Sequence, residues 1–295
     1  MKITLTSSLG NIGKPLAEQL IEAGHQVTII SRSPDRQREI EAIGAISQIG
    51  SLEDLDFLVA AFSKADAVFL MNPPDYSQPD IREYYRSTST NFAAAIKRTK
   101  VKRVVQLSSF GAHLNYGTGP ILGAHFSEEI IKQLTGIDLT ILRPTYFYYN
   151  LYNYVDMIKY NGEIVVNYGR EKFPLVSPKD IAAVAAEELV KPKRALFRYI
   201  ISSEHTGQEI AMALGRAIGK PDLKWTIVSD EAVKIALEQN GIPTNIVGLL
   251  TEMYRSLEQG RLTENYLHHQ PAKMGAVKLV DFAKDFATAY ERAQP

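Results

Sequence analysis

A short turn near the N-terminus carries residues whose spacing suits phosphate binding. It joins a β-rich run at residues 3–6 to an amphipathic helix, and Gly10 and Gly13 stand three residues apart in it. A strand, a tight turn and a helix in this order aim backbone N–H groups at an anion. Gly10 would let a pyrophosphate approach the backbone, and Gly13 would let the helix pack closely on its strand. The residues predicted to bind a dinucleotide here are Thr6, Ser8, Gly10, Asn11, Ile12 and Gly13, the last four holding the pyrophosphate.

An arginine follows the second predicted strand, residues 25–30, where a dinucleotide-binding fold meets the adenine ribose. A carboxylate at that position would bind the 2′-hydroxyl of NADH. This strand is followed instead by Arg32 between two serines, and a guanidinium group suits the 2′-phosphate of NADPH. We therefore predict NADPH as the cofactor, with NADH less favoured, and Arg32 as the residue that binds its 2′-phosphate. Arg36 and Arg38 are interpreted as part of a solvated helix start.

Two further buried strands end in residues that fit a cofactor neighbourhood. The fourth predicted strand, residues 67–71, stops at Asn72 and Pro73, and the fifth, residues 101–107, is closed by Ser108. Proline cannot continue a sheet, so the chain turns there. Ligands of open α/β sheets bind at the carboxyl ends of the strands. We predict that Asn72, Pro73 and Ser108 line the nicotinamide side of the cofactor.

The elements that position these residues alternate regularly between strand and helix. Four βα repeats followed by a sixth strand at residues 138–142 indicate right-handed crossovers and a Rossmann-type, doubly wound parallel sheet of the α/β class. Beyond residue 144 the chain is tyrosine-dense and then mostly helical. We predict a dinucleotide-binding domain at 1–144 and a smaller, α-rich C-terminal substrate lobe at 145–295, some of whose strands return to the main sheet.

Composition narrows the classes of function. Thirty-three basic residues balance thirty-three acidic ones, so no excess charge favours nucleic acid or an anionic membrane. The chain has no cysteine, which excludes a disulfide and a thiolate nucleophile. No apolar run approaches the roughly 20 residues that span a bilayer, and no signal-peptide pattern begins the sequence. We expect a cytoplasmic protein that acts on a small molecule, without metal, nucleic-acid or membrane partners; a homodimer stays open.

Tyrosines crowd residues 145–154, just past the sixth strand. A tyrosine has an apolar body and a polar tip, which suits the wall of a half-wet pocket. Core packing between two lobes is the alternative interpretation. In the first interpretation, Tyr146 borders the substrate.

Together these motifs resemble the NmrA-like branch of the atypical short-chain dehydrogenases. The resemblance extends over nearly the whole chain and implies a Rossmann fold, bound NADPH and hydride transfer to a small organic acceptor. The branch includes NADPH-dependent quinone and dye reductases. The matching stretches are Gly10 with Gly13, Arg32, 104–109 (VVQLSS), 125–129 (HFSEE), 139–147 (LTILRPTYF) with Asn150, 176–180 (VSPKD), 200–207 (IISSEHTG) and 241–243 (GIP).

The sequence departs from the family at its catalytic pair. Orthodox members carry Tyr-x-x-x-Lys on the helix after the fifth strand, whereas here Ile121 stands at the tyrosine position and His125 at the lysine position. The spacing does occur once, at Tyr168 to Lys172, and we attribute it to chance because it lies beyond the sixth strand. The resemblance places His125 in the active site, as a proton donor or a contact of the nicotinamide ribose. The alternative is a structural histidine bonded to Glu129 one turn on.

Two functions remain open on the sequence alone. The first is an NADPH-dependent reductase of a quinone-like or small carbonyl acceptor, with His125 and Tyr146 as catalytic residues. A quinone is electron-poor and solvent can supply its proton, so this reaction does not require the missing tyrosine. The second is a non-catalytic NADP(H)-binding redox sensor of the NmrA type. A sugar-nucleotide epimerase is disfavoured because that chemistry uses the tyrosine.

Overall fold

A computed structural model describes residues 1–191 and 195–293 of the chain. Its strands, in chain order, are β1 Lys2–Leu5, β2 Gln26–Ser31, β3 Ile46–Ile49, β4 Ala67–Leu70, β5 Arg103–Leu107, β6 Asp138–Pro144, β7 Tyr146–Phe147, β8 Ile164–Val166, β9 Phe173–Val176, β10 Phe197–Ile200, β11 Ser203–His205 and β12 Trp225–Ile227. Its α-helices are α1 Gly13–Glu22, α2 Gln37–Ala42, α3 Leu55–Phe62, α4 Ile81–Thr99, α5 Ile121–Lys132, α6 Val155–Asn161, α7 Pro178–Val190, α8 Gly207–Ala217, α9 Asp230–Gln239, α10 Thr244–Glu258, α11 Glu264–Leu267 and α12 Leu279–Arg292.

Seven parallel strands form the central sheet, in the order β3-β2-β1-β4-β5-β6-β10. The chain therefore winds outward from β1 in one direction and then, from β4, in the other. This order confirms the predicted Rossmann-type, doubly wound sheet. Because the strands are parallel, their carboxyl ends lie along one edge, where the turns after β1, β2, β4 and β5 meet.

Both faces of the sheet are covered, which explains why its strands are continuous apolar runs. In β4, Ala67 and Phe69 join the core beneath α1 and α7, whereas Val68 and Leu70 join the core beneath α3, α4 and α5. Successive side chains of a strand point to opposite faces, so one four-residue strand contributes to two hydrophobic cores. The sheet is thereby fixed between two helical layers.

A third core holds the C-terminal half together. It surrounds a three-stranded sheet, β11-β9-β7, and a two-stranded sheet, β12-β8, with α8 to α12 around them. The strand β10 returns to the main sheet and pairs with β6. The division of the chain at residue 144 stays a prediction.

Capping residues account for the starts of α3 and α7. The sequence Ser177-Pro178 predicts a cap followed by the first helical residue, and in α7 Ser177 accepts a hydrogen bond from the backbone N–H of Lys179 while Pro178 occupies the first turn. The apolar pattern predicts a helix from Leu52, whereas α3 begins three residues later. The reason is Asp54, whose carboxylate accepts from the N–H of Phe57 at 3.0 Å and caps the helix there.

No helix in the described part of the chain is long and apolar enough to cross a membrane.

A buried ion pair joins the amino end of β5 to α7, opposite the edge where the cofactor site is expected. Arg103 Nη2 lies 3.1 Å from Glu188 Oε2, and the two side chains are 8% and 5% exposed. We expect Glu188→Ala to lower the free energy of unfolding by about 3 kcal/mol, because Arg103 keeps a buried charge. Urea unfolding measures the change, and NADPH affinity of the folded variant should stay at the wild-type value.

The matched control is Glu187→Ala, which removes the neighbouring, more exposed carboxylate that contacts Arg198. Its expected cost is below about 1 kcal/mol. Equal stability of the Glu188 variant and the wild type would contradict this assignment.

Candidate active site

Two polar residues of the turn between β1 and α1, Thr6 and Ser8, bind it to the neighbouring strands β4 and β2. Thr6 Oγ1 accepts from the backbone N–H of Met71 at 2.8 Å and donates to the Met71 carbonyl at 3.0 Å, which links the ends of β1 and β4. Ser8 has a left-handed backbone, with φ of 50°. Its N–H donates to the carbonyl of Ile30, and its Oγ lies 3.1 Å from Ser31 Oγ at the end of β2. Both residues therefore set the shape of the turn.

The two glycines of the turn are required for different reasons. A Cβ on Gly13 would lie 2.0 Å from the carbonyl oxygen of Ser8, so only glycine allows the helix to approach the turn. A Cβ on Gly10 would meet nothing nearer than the Ser7 carbonyl oxygen at 3.7 Å. The fold itself does not need glycine at position 10, so its missing side chain leaves the backbone open to a ligand.

The N-terminus of α1 fits an anion. No side chain caps the helix, and its first turn carries no acidic residue. The first N–H groups of a helix lack partners within it and lie at the positive end of its dipole. Ser7 Oγ is buried beside them without a hydrogen-bond partner. These features suit the pyrophosphate of a dinucleotide, which Gly10, Asn11, Ile12 and Gly13 would hold.

Arg32 lies at the end of β2, half-exposed, with its guanidinium 3.4 Å from the Asp75 carboxylate. Hydrogen bonds from Ser77 and Gln78, with a smaller contribution from Arg32, lower the pKa of Asp75 to about 2. The carboxylate thus stays charged and holds the arginine beside the end of β2. Arg36 is paired with Glu39 on the adjacent helix start, in keeping with its interpretation as a solvated residue.

Asn72 is buried after β4, and its side chain is engaged by neighbouring hydroxyl groups. Its amide nitrogen donates to Thr88 and Ser89 on α4, and its oxygen accepts from Ser127 on α5 at 3.3 Å. Gln106 on β5 also donates to Ser127, at 2.7 Å. The side chain of Asn72 therefore braces β4 and β5 against α4 and α5, and Pro73 follows it, half-buried, at the sheet edge.

Ser108 is held by a buried ion pair that the sequence did not reveal. Its hydroxyl donates to Glu128 Oε1 at 2.5 Å, and Arg143 binds the same carboxylate with two hydrogen bonds of 2.9 and 2.6 Å. Burial opposes the charge of Arg143, but the hydrogen bond and charge of Glu128 outweigh it and raise the arginine pKa. Because Ser108 gives its one proton to a carboxylate, it offers a ligand only an acceptor.

His125 lies on α5, half-buried, and its Nδ1 is 3.0 Å from the carbonyl oxygen of Ala112. A carbonyl only accepts, so Nδ1 carries a proton and Nε2 is an acceptor in the neutral ring. The alternative partner, Glu129, pairs with Lys132 instead. His125 therefore anchors the loop after β5 and keeps one ring nitrogen for another contact.

The tyrosines after β6 divide into a buried set and a more accessible set. Tyr146 is buried, and its hydroxyl lies 2.8 Å from that of Tyr168. Burial raises the pKa of Tyr146, which the hydrogen bonds with Tyr168 and Tyr154 partly oppose. Tyr149 and Tyr152 instead line a cavity of about 200 Å³ whose wall also includes Asn11 from the cofactor turn. The contact predicted between Tyr146 and substrate stays a prediction.

The Tyr-x-x-x-Lys spacing at Tyr168 places its two side chains in different surroundings. Tyr168 is fully buried among aromatic rings, and its hydroxyl also bonds Tyr154. Lys172 is exposed and lies 3.7 Å from Glu209. The two side chains have separate partners, which supports the interpretation of a chance spacing.

Helix α10 lies against the loop between β5 and α5. Glu252 accepts from the backbone N–H of Gly119 at 2.9 Å, and Ser256 donates to the carbonyl of Gly117. Arg261, just beyond the helix, donates to the Tyr116 carbonyl and lies over the exposed Tyr116 ring. The C-terminal half is therefore fastened onto the loop that follows the predicted site residue Ser108.

Comparison with known proteins places this geometry in a family. A family model described as NAD(P)H-binding matches residues 8–192, which confirms the predicted dinucleotide-binding class. The chain is 27% identical to an NAD(P)H azoreductase of Xenophilus azovorans over 99% of this chain and 100% of that protein. It is also 27% identical to a (4-alkanoyl-5-oxo-2,5-dihydrofuran-3-yl)methyl phosphate reductase of Streptomyces griseus over 80% of each.

Two solved structures show the same fold. One is an NADPH-dependent quinone oxidoreductase of Escherichia coli complexed with NADPH, with a TM-score of 0.83, 19% identity and coverage of 96% of this chain and 99% of that one. The other is a triphenylmethane reductase of Citrobacter complexed with NADP(H), with a TM-score of 0.81, 19% identity and coverage of 97% and 100%. The likeness includes both halves of the chain.

Substituting each glycine of the turn by alanine separates folding from cofactor binding. Gly13→Ala should lower the free energy of unfolding by about 1–3 kcal/mol, because its Cβ overlaps a backbone oxygen. Gly10→Ala should change stability by less than about 1 kcal/mol and weaken NADPH binding about tenfold or more, since its methyl group occupies the pyrophosphate approach. Urea unfolding and calorimetric titration measure the two effects. Wild-type NADPH affinity in the Gly10 variant would contradict the assignment.

Proposed function

Because the chain belongs to this NAD(P)H-binding family, we propose that it is an NADPH-dependent reductase that transfers hydride to a quinone-like or azo acceptor. The observation that carries the proposal is the similarity to an NAD(P)H azoreductase along the full length of both proteins. A similarity limited to the cofactor-binding half would support NADPH binding but not the choice of hydride acceptor. The resemblance seen in the motifs, which includes quinone and dye reductases, agrees with it.

The residues proposed to bind NADPH would hold the cofactor and orient it. The N–H groups of Gly10, Asn11, Ile12 and Gly13 hold the pyrophosphate at the start of α1. Arg32, which lies beside Asp75, would bind the 2′-phosphate, a doubly charged partner for a planar guanidinium. When bound, NADPH supplies the hydride. A preference for NADPH over NADH would follow from this contact of Arg32, because NADH has no 2′-phosphate.

On the side of the site proposed for the acceptor, side chains would form hydrogen bonds with the ligands and supply the proton that completes the reduction. Ser108 accepts but does not donate, so it suits an N–H group such as the nicotinamide carboxamide. Hydride and one proton complete the reduction of a quinone to a hydroquinone or of an azo bond to a hydrazo group. A protonated His125 can donate that proton from Nε2, and water is the alternative source. Contacts from α10 and Arg261 hold the loop at residues 116–119 in place, and a loop held over the acceptor would limit the access of bulk water.

Arg32→Ala is expected to weaken NADPH binding about tenfold or more and to leave NADH binding within about twofold, because only NADPH carries the 2′-phosphate. Dissociation constants for both cofactors, measured by fluorescence titration, test this. Arg36→Ala is the matched control and should bind NADPH as the wild type does. An equal loss of both cofactors in the Arg32 variant would contradict its assignment to the 2′-phosphate.

Turnover is tested by following NADPH absorbance with a panel of quinones, an azo dye and simple carbonyl compounds. We expect consumption with a quinone or azo acceptor, a lower kcat in His125→Asn, and wild-type kcat in Tyr116→Phe, since Tyr116 points into solvent under Arg261. Tight NADPH binding without consumption of any acceptor would refute the reductase and indicate the non-catalytic sensor.

A further inference from the structure

Buried polar atoms without partners concentrate on β5 and the loop after it. In the described part of the chain, six side-chain nitrogen or oxygen atoms are buried without a hydrogen bond. Four of the six belong to this segment: Gln106 Oε1, both ring nitrogens of His113, and Thr118 Oγ1. Native folds leave few such atoms unsatisfied, and each calls for a bound water, a ligand or a catalytic role. This segment is therefore prepared for a partner that is not part of the chain.

His113 is the member of this set with the most hydrogen-bonding capacity. It sits in a turn closed by the hydrogen bond from the N–H of Leu114 to the carbonyl of Gly111. The preceding carbonyl, that of Ala112, accepts from His125. The backbone is thus fixed on both sides of His113, while its ring remains without a partner. Its two nitrogens therefore need a bound water or a ligand.

The charges around His113 come from the elements that build the site. Arg143 on β6, Glu264 on α11, and Glu128 and His125 on α5 face it. Burial, followed by the positive charge of Arg143, lowers its pKa below the usual 6.5 and outweighs the two carboxylates. The ring is neutral at pH 7, with one nitrogen as donor and the other as acceptor.

We propose that His113 is a further substrate-contacting residue, whose ring N–H donates to the oxygen or nitrogen atom of the acceptor that becomes negative on hydride transfer. The other ring nitrogen accepts from an O–H or N–H of the same ligand or from water. His113 stabilises the charge and keeps its proton, and the proton that completes the reduction comes from His125 or water. The identity of the acceptor rests on the proposed function. A neutral imidazole suits this role because it stays a donor without repelling Arg143.

The test compares His113→Phe, which keeps a ring of similar size, with His113→Asn, which keeps a donor and an acceptor. His205→Phe is the matched control: His205 is also half-buried with a lowered pKa, but it lies on β11 beside Glu209. Binding of 1,4-naphthoquinone to NADP⁺-loaded protein is measured by calorimetry, because NADP⁺ allows no turnover. NMR of the ¹⁵N-labelled histidine rings follows His113 directly.

The expected result is naphthoquinone binding about tenfold weaker in His113→Phe, partly restored in His113→Asn and unchanged in His205→Phe. The His113 nitrogen signals should shift on adding naphthoquinone and not on adding NADP⁺ alone. A shift with NADP⁺ alone, or wild-type naphthoquinone affinity in His113→Phe, would overturn the proposal. These binding readouts are independent of turnover, so a protein that oxidises no NADPH refutes the proposed function without deciding the role of His113.

Stability separates this role from a structural one. If His113 is buried and neutral, the folded state binds fewer protons than the unfolded state, so wild-type stability should fall as the pH decreases below 6.5. His113→Phe removes this contribution and should show a smaller loss, with a urea midpoint at pH 7 equal to or above that of the wild type. A lower midpoint at pH 7 would mean that the ring nitrogens have partners within the fold, which contradicts the proposal.

Discussion

The ion pair between Glu128 and Arg143 is the interaction on which the rest of the site depends. Its side chains are 1% and 7% exposed, and a buried charge is tolerated only when it is paired and hydrogen-bonded. The pair joins α5 to the end of β6, and the Ser108 hydroxyl adds the end of β5. Three separate segments of the chain thus meet at one carboxylate, and the loop after β5 begins at that junction.

The polar groups of the candidate site are of two kinds: some are hydrogen-bonded within the fold and support it, and others have no partner there and are open to a ligand. Asn72 and Ser108 direct their side-chain protons to hydroxyl or carboxylate partners within the fold. Gly10, the uncapped start of α1 and the ring of His113 keep open backbone or unpaired polar atoms. The first group brings strand ends together, and the second group is where we propose that a cofactor and an acceptor bind. Hydrogen-bonding groups that are already held in place need not reorganise during a reaction, so this division of roles suits the proposed hydride transfer.

The sequence predicts the Rossmann sheet and the turn between β1 and α1 well because both depend on local patterns. Alternating apolar strands and amphipathic helices fix the sheet, and two glycines fix the turn. The pair of Glu128 and Arg143 depends on a contact across 15 residues, which no local pattern signals. Tyr146 illustrates a second limit, since the same residue type fills a core and lines a pocket. The sequence shows that a histidine, His113, lies in the loop after β5. That its ring nitrogens have no partner becomes visible only in the three-dimensional structure.

The most direct test of the account is the rate of NADPH oxidation in a single turnover with a quinone, using NADPH deuterated at C4 on one face or the other. A protein that positions the nicotinamide against the acceptor should slow with deuterium on one face only, because one hydrogen is transferred directly. Oxidation that is insensitive to both labels would contradict direct hydride transfer. Absence of any oxidation with NADPH fully bound would leave a protein that binds the cofactor without using it.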